Sequence, residues 1–493
     1  MSEKFDAIVI GAGHNGLSAA ASLAARGKSV CVLERADYIG GMASDRMAHL
    51  LYNPLPRGVQ AQTRKIDTVS LSPDGKHVVL RDGIANYASG DAHPDATAFK
   101  TLHDRLVTYA ALLNTLAESA PPGLDQGLTS LAGLREMSRL AKLGIGVKRL
   151  GKPEMREFLR ILLTNVYDLL LDEMPDGPLP GALASDAVRG AFAGPRSPGT
   201  VLTLMYRLRN GGSVSLPTGG MGTIANAYAD AARKAGADIR CGVGVTEVNV
   251  EDDIVLGVTT SDGGRLLAPA VLSSAGPMQT MQMAGIPSFD IEAVRRARNL
   301  RAKGTTAKLN IALKGRPEFN GLTKEQSKSR LLIAPSVAEV ERAFNPAKYG
   351  ELPSAPSLEM VMPHGQDRLS VIVSHVPLDL KSGWTEKARG TLTETVIAAI
   401  EAYAPGLRDQ IASTDLLTPA DIAQLTGAPG GHWHHAEMGL DQMLTTRPTV
   451  GMARYRFGVR GLYLCGASAH PGGDVTGMPG RNSAAQVLLD GVA

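Results

Sequence analysis

An α/β fold built from two interleaved domains is what this 493-residue sequence predicts, and three stretches predict it. The N-terminus reads as strand, glycine turn, helix and second strand. The C-terminus, from Gly461 to Ala493, reads as an apolar strand, a glycine-rich turn and a helix. Between them lie helices of apolar periodicity and alternating strands, with no internal repeat and no low-complexity linker. A chain of this length exceeds one ordinary core, so two or more domains are expected.

The N-terminal stretch FDAIVIGAGHNGLSAAASLAARGKSVCVLER carries the strongest signal. Ala7 to Ile10 is a short apolar run of strand length. Gly11, Gly13 and Gly16 then match G-x-G-x-x-G. The first glycine turns the chain, the second admits a pyrophosphate against the backbone, and the third lets helix and strand pack closely. Leu17 to Ala25 is mostly alanine and leucine, as a helix favours, and Gly27 is placed to end it. Val30 to Leu33 form the second strand. Glu34 at its tip can accept hydrogen bonds from a ribose, with Arg35 beside it. The glycine pattern alone is a weak signal. Here strand, turn, helix, second strand and acid agree, and dinucleotide binding follows. Gly40 and Gly41 come next. A second glycine pair, with Met42 after it, suits a backbone running close to the rest of a large cofactor, although alone it is also a simple turn.

Further on, PTGGMGTIANAYADAARKAGADIRCGVGVTEVNV supplies another glycine turn, a helix from about Thr223 to Ala235 and a strand into Val245. DDIVLGVTTSDGGRLLAPAVLSSAGP alternates as a β-meander, with turns at Asp252-Asp253 and Asp262-Gly263-Gly264. Residues from about Ala98 to Asp172 read as helices. GTTAKLNIALKG and SLEMVMPHGQDRLSVIVSHV, with a turn inside the latter, read as antiparallel strands. TEKARGTLTETVIAAIEAYAPGL reads as a long amphipathic helix. Along TTAKLNIAL, Ala307, Leu309, Ile311 and Leu313 share one face, while Thr306, Lys308 and Asn310 share the other. On that pattern alone Lys308 belongs on a wet face.

Hydrophobic residues make up 44% and charged residues 20% of the chain, ordinary values for a globular protein. A net charge of +3 gives no sign of a nucleic-acid partner. An aromatic content of 4% argues against stacking platforms for single strands. Cys31, Cys241 and Cys465 lie far apart in apolar runs, so buried reduced thiols are expected rather than a redox pair. His432, His434 and His435 cluster, but within one short loop they cannot converge on a metal without a special turn, and no metal site is assigned. MSEKFDAIVIGAG runs straight into a strand and does not read as a signal peptide. No apolar stretch is long enough to span a bilayer, so a cytoplasmic location is expected. The basic stretch LREMSRLAKLGIGVKRLGK holds Arg135, Arg139, Lys142, Lys148, Arg149 and Lys152 against one acid, Glu136. It is either a solvated helix face or a peripheral contact with an anionic membrane.

The stretch DAIVIGAGHNGLSAAASLAARGKSVCVLERADYIGGMAS resembles the N-terminus of the FAD-dependent phytoene desaturase-like oxidoreductases. Within the amine oxidase-like flavoproteins it is most similar to the branch named for pyridine nucleotide-disulphide oxidoreductase domain-containing protein 2. AFAGPRSPGT, LPTGGMGTIANAYADAARKAGADI, LTGAPGGHWHHAEMGLDQMLTTRP and LYLCGASAHPGGDVTGMPGRNSAAQ resemble the same branch, so the likeness recurs from end to end. The disulphide in that name has no matching cysteine pair here.

The resemblance implies FAD as cofactor and a glutathione-reductase-like Rossmann domain interleaved with an α+β substrate domain. Residues 1–90, 215–290 and 426–493 would form the FAD domain, and 91–214 and 291–425 the substrate domain. Leu462 to Cys465 would return to the N-terminal sheet, with Gly466 as exit turn. Val245 would read the adenine through its backbone, and Val475, Thr476 and Gly477 would meet the flavin at a helix N-terminus. His435 and Glu437 are implied as an acid/base pair, or as a hydrogen-bonded loop closing the pocket. Lys308 is implied to lie on the strand that, in monoamine oxidases, carries a lysine reaching a water beside the flavin, where a cation stabilises developing negative charge. The implied activity is oxidation or dehydrogenation of an apolar small molecule by hydride transfer to flavin. Two alternatives stand beside it: a redox-neutral flavin-dependent isomerase, and a flavin-bound interaction protein with little turnover. Only the N-terminal unit carries a complete G-x-G-x-x-G, so nicotinamide is not expected as obligate hydride donor.

Overall fold

The computed structural model describes residues 3–121, 131–363 and 367–493. Its larger sheet draws its centre from distant parts of the chain. Val459–Leu464, Ala270–Ser273, Ala7–Ile10, Val30–Leu33 and Asp238–Arg240 lie side by side in that order, and every one of these pairings is parallel. Val9 sits in register between Leu272 and Val32. Ala7–Ile10 and Val30–Leu33 are buried along their whole length, as parallel strands covered on both faces must be. The meander Val245–Glu251, Ile254–Thr260 and Arg265–Leu267 extends the sheet with antiparallel pairs. The helix His14–Ala24 packs between the sheet, the helix Met221–Lys234 and the C-terminal helix Met478–Asp490. The chain's two ends therefore build one wall.

The second sheet has eight strands in the order Ile411–Leu417, Thr306–Leu313, Arg368–Ser374, Leu358–Val361, Arg330–Ile333, Thr68–Ser70, Val78–Arg81 and Ile84–Tyr87. It is antiparallel except where Arg330–Ile333 meets Thr68–Ser70. The helix Glu386–Glu401 covers one face, burying Leu392, Val396 and Ile400 against Leu309 and Val371. Thr68–Ser70, Val78–Arg81 and Ile84–Tyr87, inside the expected first segment 1–90, pair in this second sheet. Val69 and Leu71 belong to this second core, so the chain has already crossed into the second domain by residue 68. A short ribbon of Thr63–Ile66 and Val214–Pro217 marks the crossing.

A helical layer completes the second domain: Ala96–Ala117, Leu131–Arg149, Lys152–Leu162, Val166–Glu173, Pro178–Val188 and Thr200–Leu208. Phe99, Leu102, Leu106, Leu169, Leu170 and Met205 form its shared core. The turn expected inside SLEMVMPHGQDRLSVIVSHV falls at 364–366, outside the described residues, as do the side chains of Arg135, Glu136 and Arg139. Among the described residues, no helix is long and apolar enough to cross a membrane.

Candidate active site

A cavity of about 500 Å³ opens along the C-terminal ends of the central parallel strands, where open α/β sheets bind their ligands. The N-terminal turn contributes Gly11, Gly13 and Gly16 to its wall, the strand tip contributes Glu34 and Arg35, and the next turn contributes Gly41 and Met42. Val245, Gly466 and His435 line it too. Two of the glycines are needed for different reasons. A Cβ on Gly16 would lie 2.1 Å from the Gly11 carbonyl oxygen, so close packing excludes any larger residue. A Cβ on Gly13 would meet no atom within 4 Å, and its φ of −71° suits any residue. The room beside Gly13 is cavity, free for a ligand. The Glu34 carboxylate is aimed by its own backbone surroundings: it accepts from Ala12 N at 2.8 Å and Ala36 N at 2.9 Å.

The same cavity is lined by three residues that the glycine motif does not predict to be unpaired. Asn15 Oδ1, Trp433 Nε1 and His435 Nδ1 are buried without a hydrogen-bond partner among the described residues, and all three residues face the cavity. Buried polar atoms are ordinarily paired. Their convergence on one cavity fits a large polar ligand that satisfies them. Burial pushes the His435 ring down to about 4, helped by the nearby charges of His14 and Arg447. His435 is therefore neutral near pH 7. Burial likewise takes His14 down to about 4, against the opposing pull of Asp474.

Five expected site residues do not line this cavity. The N–H of Val475 is taken by Asp474 Oδ1 at 3.0 Å, and its carbonyl accepts from Tyr228 OH at 3.1 Å. Thr476 turns its hydroxyl back to accept from Met478 N. Gly477 is the N-cap of the final helix and packs against Ser18 and Tyr228. These three position the final helix on the first one. Glu437 accepts from Arg301 Nε at 2.9 Å and sits behind the His435 loop rather than beside the cavity. Lys308 is fully buried, contrary to the wet face that its strand pattern predicts. Its Nζ lies 3.0 Å from His49 Nδ1 and donates to Ser370 Oγ.

Lys308 belongs to a different polar cluster, centred on Glu359. That carboxylate accepts from His49 Nε2 at 2.7 Å, from Tyr52 OH, and from both Arg189 (2.9 and 2.7 Å) and Arg330 (2.9 and 2.8 Å). Arg330 also pairs with Asp186. Burial alone would raise the Glu359 carboxyl, but the Arg189 and Arg330 charges outweigh it and hold it well below the usual carboxylate range. Burial, reinforced by the Arg368 charge, drives the Lys308 ammonium well below the usual lysine range. The cluster touches the cavity wall where the Arg189 guanidinium stacks 4.8 Å from the Trp433 ring centroid.

Arg447 is the organiser of the His435 loop that sequence reasoning missed. It is fully buried. Its terminal nitrogens donate to the carbonyls of Glu437, Gln442, His434, Ala436 and Ala467. One cation thus ties the loop to the exit turn of the returning strand. Burial lowers its guanidinium to about 10. Backbone carbonyls are carried by every residue type, so these partners leave no motif. Cys31 and Cys465 are buried and free, and burial pushes the Cys31 thiol up to about 12.

The parallel strands, the glycine cradle and the unpaired polar atoms around one cavity suit a dinucleotide cofactor. The chain belongs to the flavin containing amine oxidoreductase family, which matches residues 16–488. Members of this family bind FAD, so this is an FAD-dependent oxidoreductase. The chain is 30% identical over 546 residues to pyridine nucleotide-disulfide oxidoreductase domain-containing protein 2 of Rattus norvegicus, covering 99% of this chain and 94% of that protein. It is 23% identical over 539 residues to a limonene dehydrogenase polypeptide of Castellaniella defragrans, covering 98% and 94%. An oxidoreductase from Methanosarcina mazei shares the fold, with a TM-score of 0.60 at 15% identity over 99% of this chain and 100% of that one.

Proposed function

We propose that this FAD-dependent oxidoreductase removes a hydride and a proton from an apolar organic molecule, using a glutathione-reductase-like cofactor domain. The observation that carries the cofactor half is the cavity whose unpaired Asn15, Trp433 and His435 atoms surround the space beside Gly13. An apolar substrate is supported by the relative named for limonene, a hydrocarbon.

FAD, when bound, supplies the hydride-accepting chemistry. The chain's own residues then have three tasks. His435, neutral at the cavity wall, is the group proposed to take the proton that leaves the substrate. Glu437 holds that loop through Arg301, and Arg447 holds it through backbone carbonyls, so both are positioning residues. Lys308 acts at one remove, by fixing His49 against Glu359. A peripheral approach to an anionic bilayer is supported by exposed Lys142, Lys148, Arg149 and Lys152 beside exposed Ile145 and Leu159.

The test is anaerobic mixing of the yellow holoprotein with a panel of alkenes, terpenes, carotenoids and primary amines. Bleaching of the flavin by an apolar compound supports the reading. Bleaching by amines alone would replace it with amine oxidation, and product rearrangement without bleaching would replace it with isomerisation. No turnover with any compound would favour an interaction protein. Rapid anaerobic bleaching by NADPH would instead make nicotinamide a hydride donor to the flavin.

A further inference from the structure

We propose that His14 is a cofactor-binding residue that works as a hydrogen-bond acceptor, taking the O–H of a hydroxyl on the ribityl chain of FAD. This rests on the cofactor half of the reading above and names the part of the cofactor that one side chain recognises. His14 follows the second glycine of the N-terminal turn and opens the helix His14–Ala24. It is half-buried and lines the cavity.

The ring's tautomer is fixed from behind. Its Nε2 lies 3.1 Å from the carbonyl oxygen of Asp474. A carbonyl oxygen only accepts, so the proton of this bond is on Nε2. That carbonyl is itself held in place. Asp474 adopts a positive φ of 67°, its Oδ1 accepts from Val475 N at 3.0 Å, and its Oδ2 accepts from Asn53 Nδ2. Burial takes the His14 ring down to about 4, so it is neutral near pH 7. A neutral imidazole with its proton on Nε2 carries a bare lone pair on Nδ1. Nothing among the described residues donates to that nitrogen. Unlike His435 Nδ1, it is not a fully buried atom, so a ligand in the cavity can reach it.

An acceptor at this point selects among the groups of a dinucleotide. Phosphate and carbonyl oxygens are acceptors themselves and cannot pair with a lone pair. A glycine turn that opens a helix holds the pyrophosphate, and the two ring systems are separated from it by the sugar chains. The donors that flank a pyrophosphate are therefore the hydroxyls of the ribose and of the ribityl chain. Glu34, at the strand tip, is the acceptor for the ribose. His14 lies toward the other end of the cavity, close enough to His435 for its charge to be felt there. The ribityl chain is the one left.

The experiment equilibrates the FAD-loaded protein with mixtures of FAD and its 2′-deoxy-, 3′-deoxy- or 4′-deoxyribityl analogue, and reads the bound ratio by mass spectrometry. In wild type, one analogue is expected to bind about fivefold or more weakly than FAD, the scale of one neutral hydrogen bond. In His14→Leu, that analogue and FAD should bind within about twofold of each other. His14→Asn keeps an acceptor near the place of Nδ1 and should restore part of the preference. Equal binding of FAD and all three analogues by wild type overturns the proposal, as does a preference that survives undiminished in His14→Leu. A [15N]histidine spectrum of the FAD-loaded protein checks the tautomer. The His14 ring, assigned by its loss in His14→Asn, should carry its proton on Nε2, and a proton on Nδ1 overturns the acceptor role. Should His14→Leu fail to fold, the wild-type comparison and His14→Asn decide. Gly13→Leu separates this proposal from the cofactor reading. If that variant folds and keeps FAD, the cavity reading falls and His14 falls with it. If it loses FAD while wild type ignores every missing hydroxyl, only the role of His14 falls.

Discussion

The Glu359 cluster and the cofactor cavity meet at Trp433, yet they treat buried polar groups in opposite ways. Around Glu359 the charged groups are closed on one another: two arginines, a tyrosine and a histidine donate to one carboxylate. Around the cavity, Asn15, Trp433 and His435 each leave an atom unpaired. Burying an unsatisfied polar atom costs about 1–3 kcal/mol, and a ligand that pairs these atoms removes that cost. A closed cluster holds the fold, and an open one holds a cofactor. Substitutions at Gly13, Glu359 and Lys308 separate these two roles.

The largest effect should come from Gly13→Leu. Its backbone angle tolerates a side chain, and the side chain enters cavity rather than protein. The variant should therefore fold, as judged by circular dichroism, and lose FAD affinity by about a thousandfold or more, roughly 4 kcal/mol. Gly16→Ala is the converse. Its Cβ strikes the Gly11 carbonyl, so the apoprotein itself should be destabilised. Stoichiometric FAD in folded Gly13→Leu would mean that the cavity is not where the cofactor lies.

Glu359→Gln attacks the closed cluster. Arg189 and Arg330 keep their charges and lose their shared anion, although Asp186 still meets Arg330. A loss of about 3–5 kcal/mol in urea unfolding is expected. FAD affinity in the fraction that remains folded should hardly move. A loss below about 1 kcal/mol would show that solvent already screens the cluster, in the manner of a surface pair.

These two clusters were not equally legible in the sequence. The strands Ala7–Ile10 and Val30–Leu33 and the glycine turn between them fall where local pattern places them. Strand, turn and helix there are dictated within one short segment. Lys308 was misplaced on its pattern because alternation says which residues share a face, not what covers it. Here His49 and Arg189 arrive from distant segments and make the polar face an interior. At Val475 the local pattern does not show that Asp474, at a positive φ of 67°, folds its carboxylate onto the next N–H. Arg447 has carbonyl partners, which every residue carries, so no spacing could have announced it. Strands of both sheets are similarly apolar and pairing partners are not encoded locally, so the pattern does not say which sheet Thr68–Ser70 joins.

Lys308→Met is a gentler test of the closed cluster. Removing the amine leaves His49 Nδ1 and Ser370 Oγ with one partner fewer each, though they retain each other at 3.0 Å. A stability loss of about 1–3 kcal/mol is expected, with anaerobic flavin reduction within about threefold of wild type. Unchanged stability with reduction slowed tenfold or more would reverse the assignment, and would place Lys308 in contact with the cofactor chemistry.

The smallest effect concerns His375, which fits neither category. It is fully buried, neither ring nitrogen has a partner among the described residues, and it lines no part of the cofactor cavity. Burial alone takes its ring down to about 3, whereas an unfolded histidine titrates near 6.5. Between those values the unfolded chain binds a proton that the folded one refuses, so stability is lost as pH falls through this window. At roughly 1.4 kcal/mol for each pH unit within the window, His375 should account for about 2 kcal/mol of the loss between pH 7 and pH 5. His375→Asn removes the titration and tolerates the positive φ of 64° at this position. Urea unfolding of wild type and variant at both pH values should therefore show a shallower pH dependence in the variant. Identical pH dependence would mean that the folded ring is already protonated or wetted. In that case an unpaired buried nitrogen would not by itself mark a place for a ligand, and the reading of Trp433 and His435 would have to rest on the cavity alone.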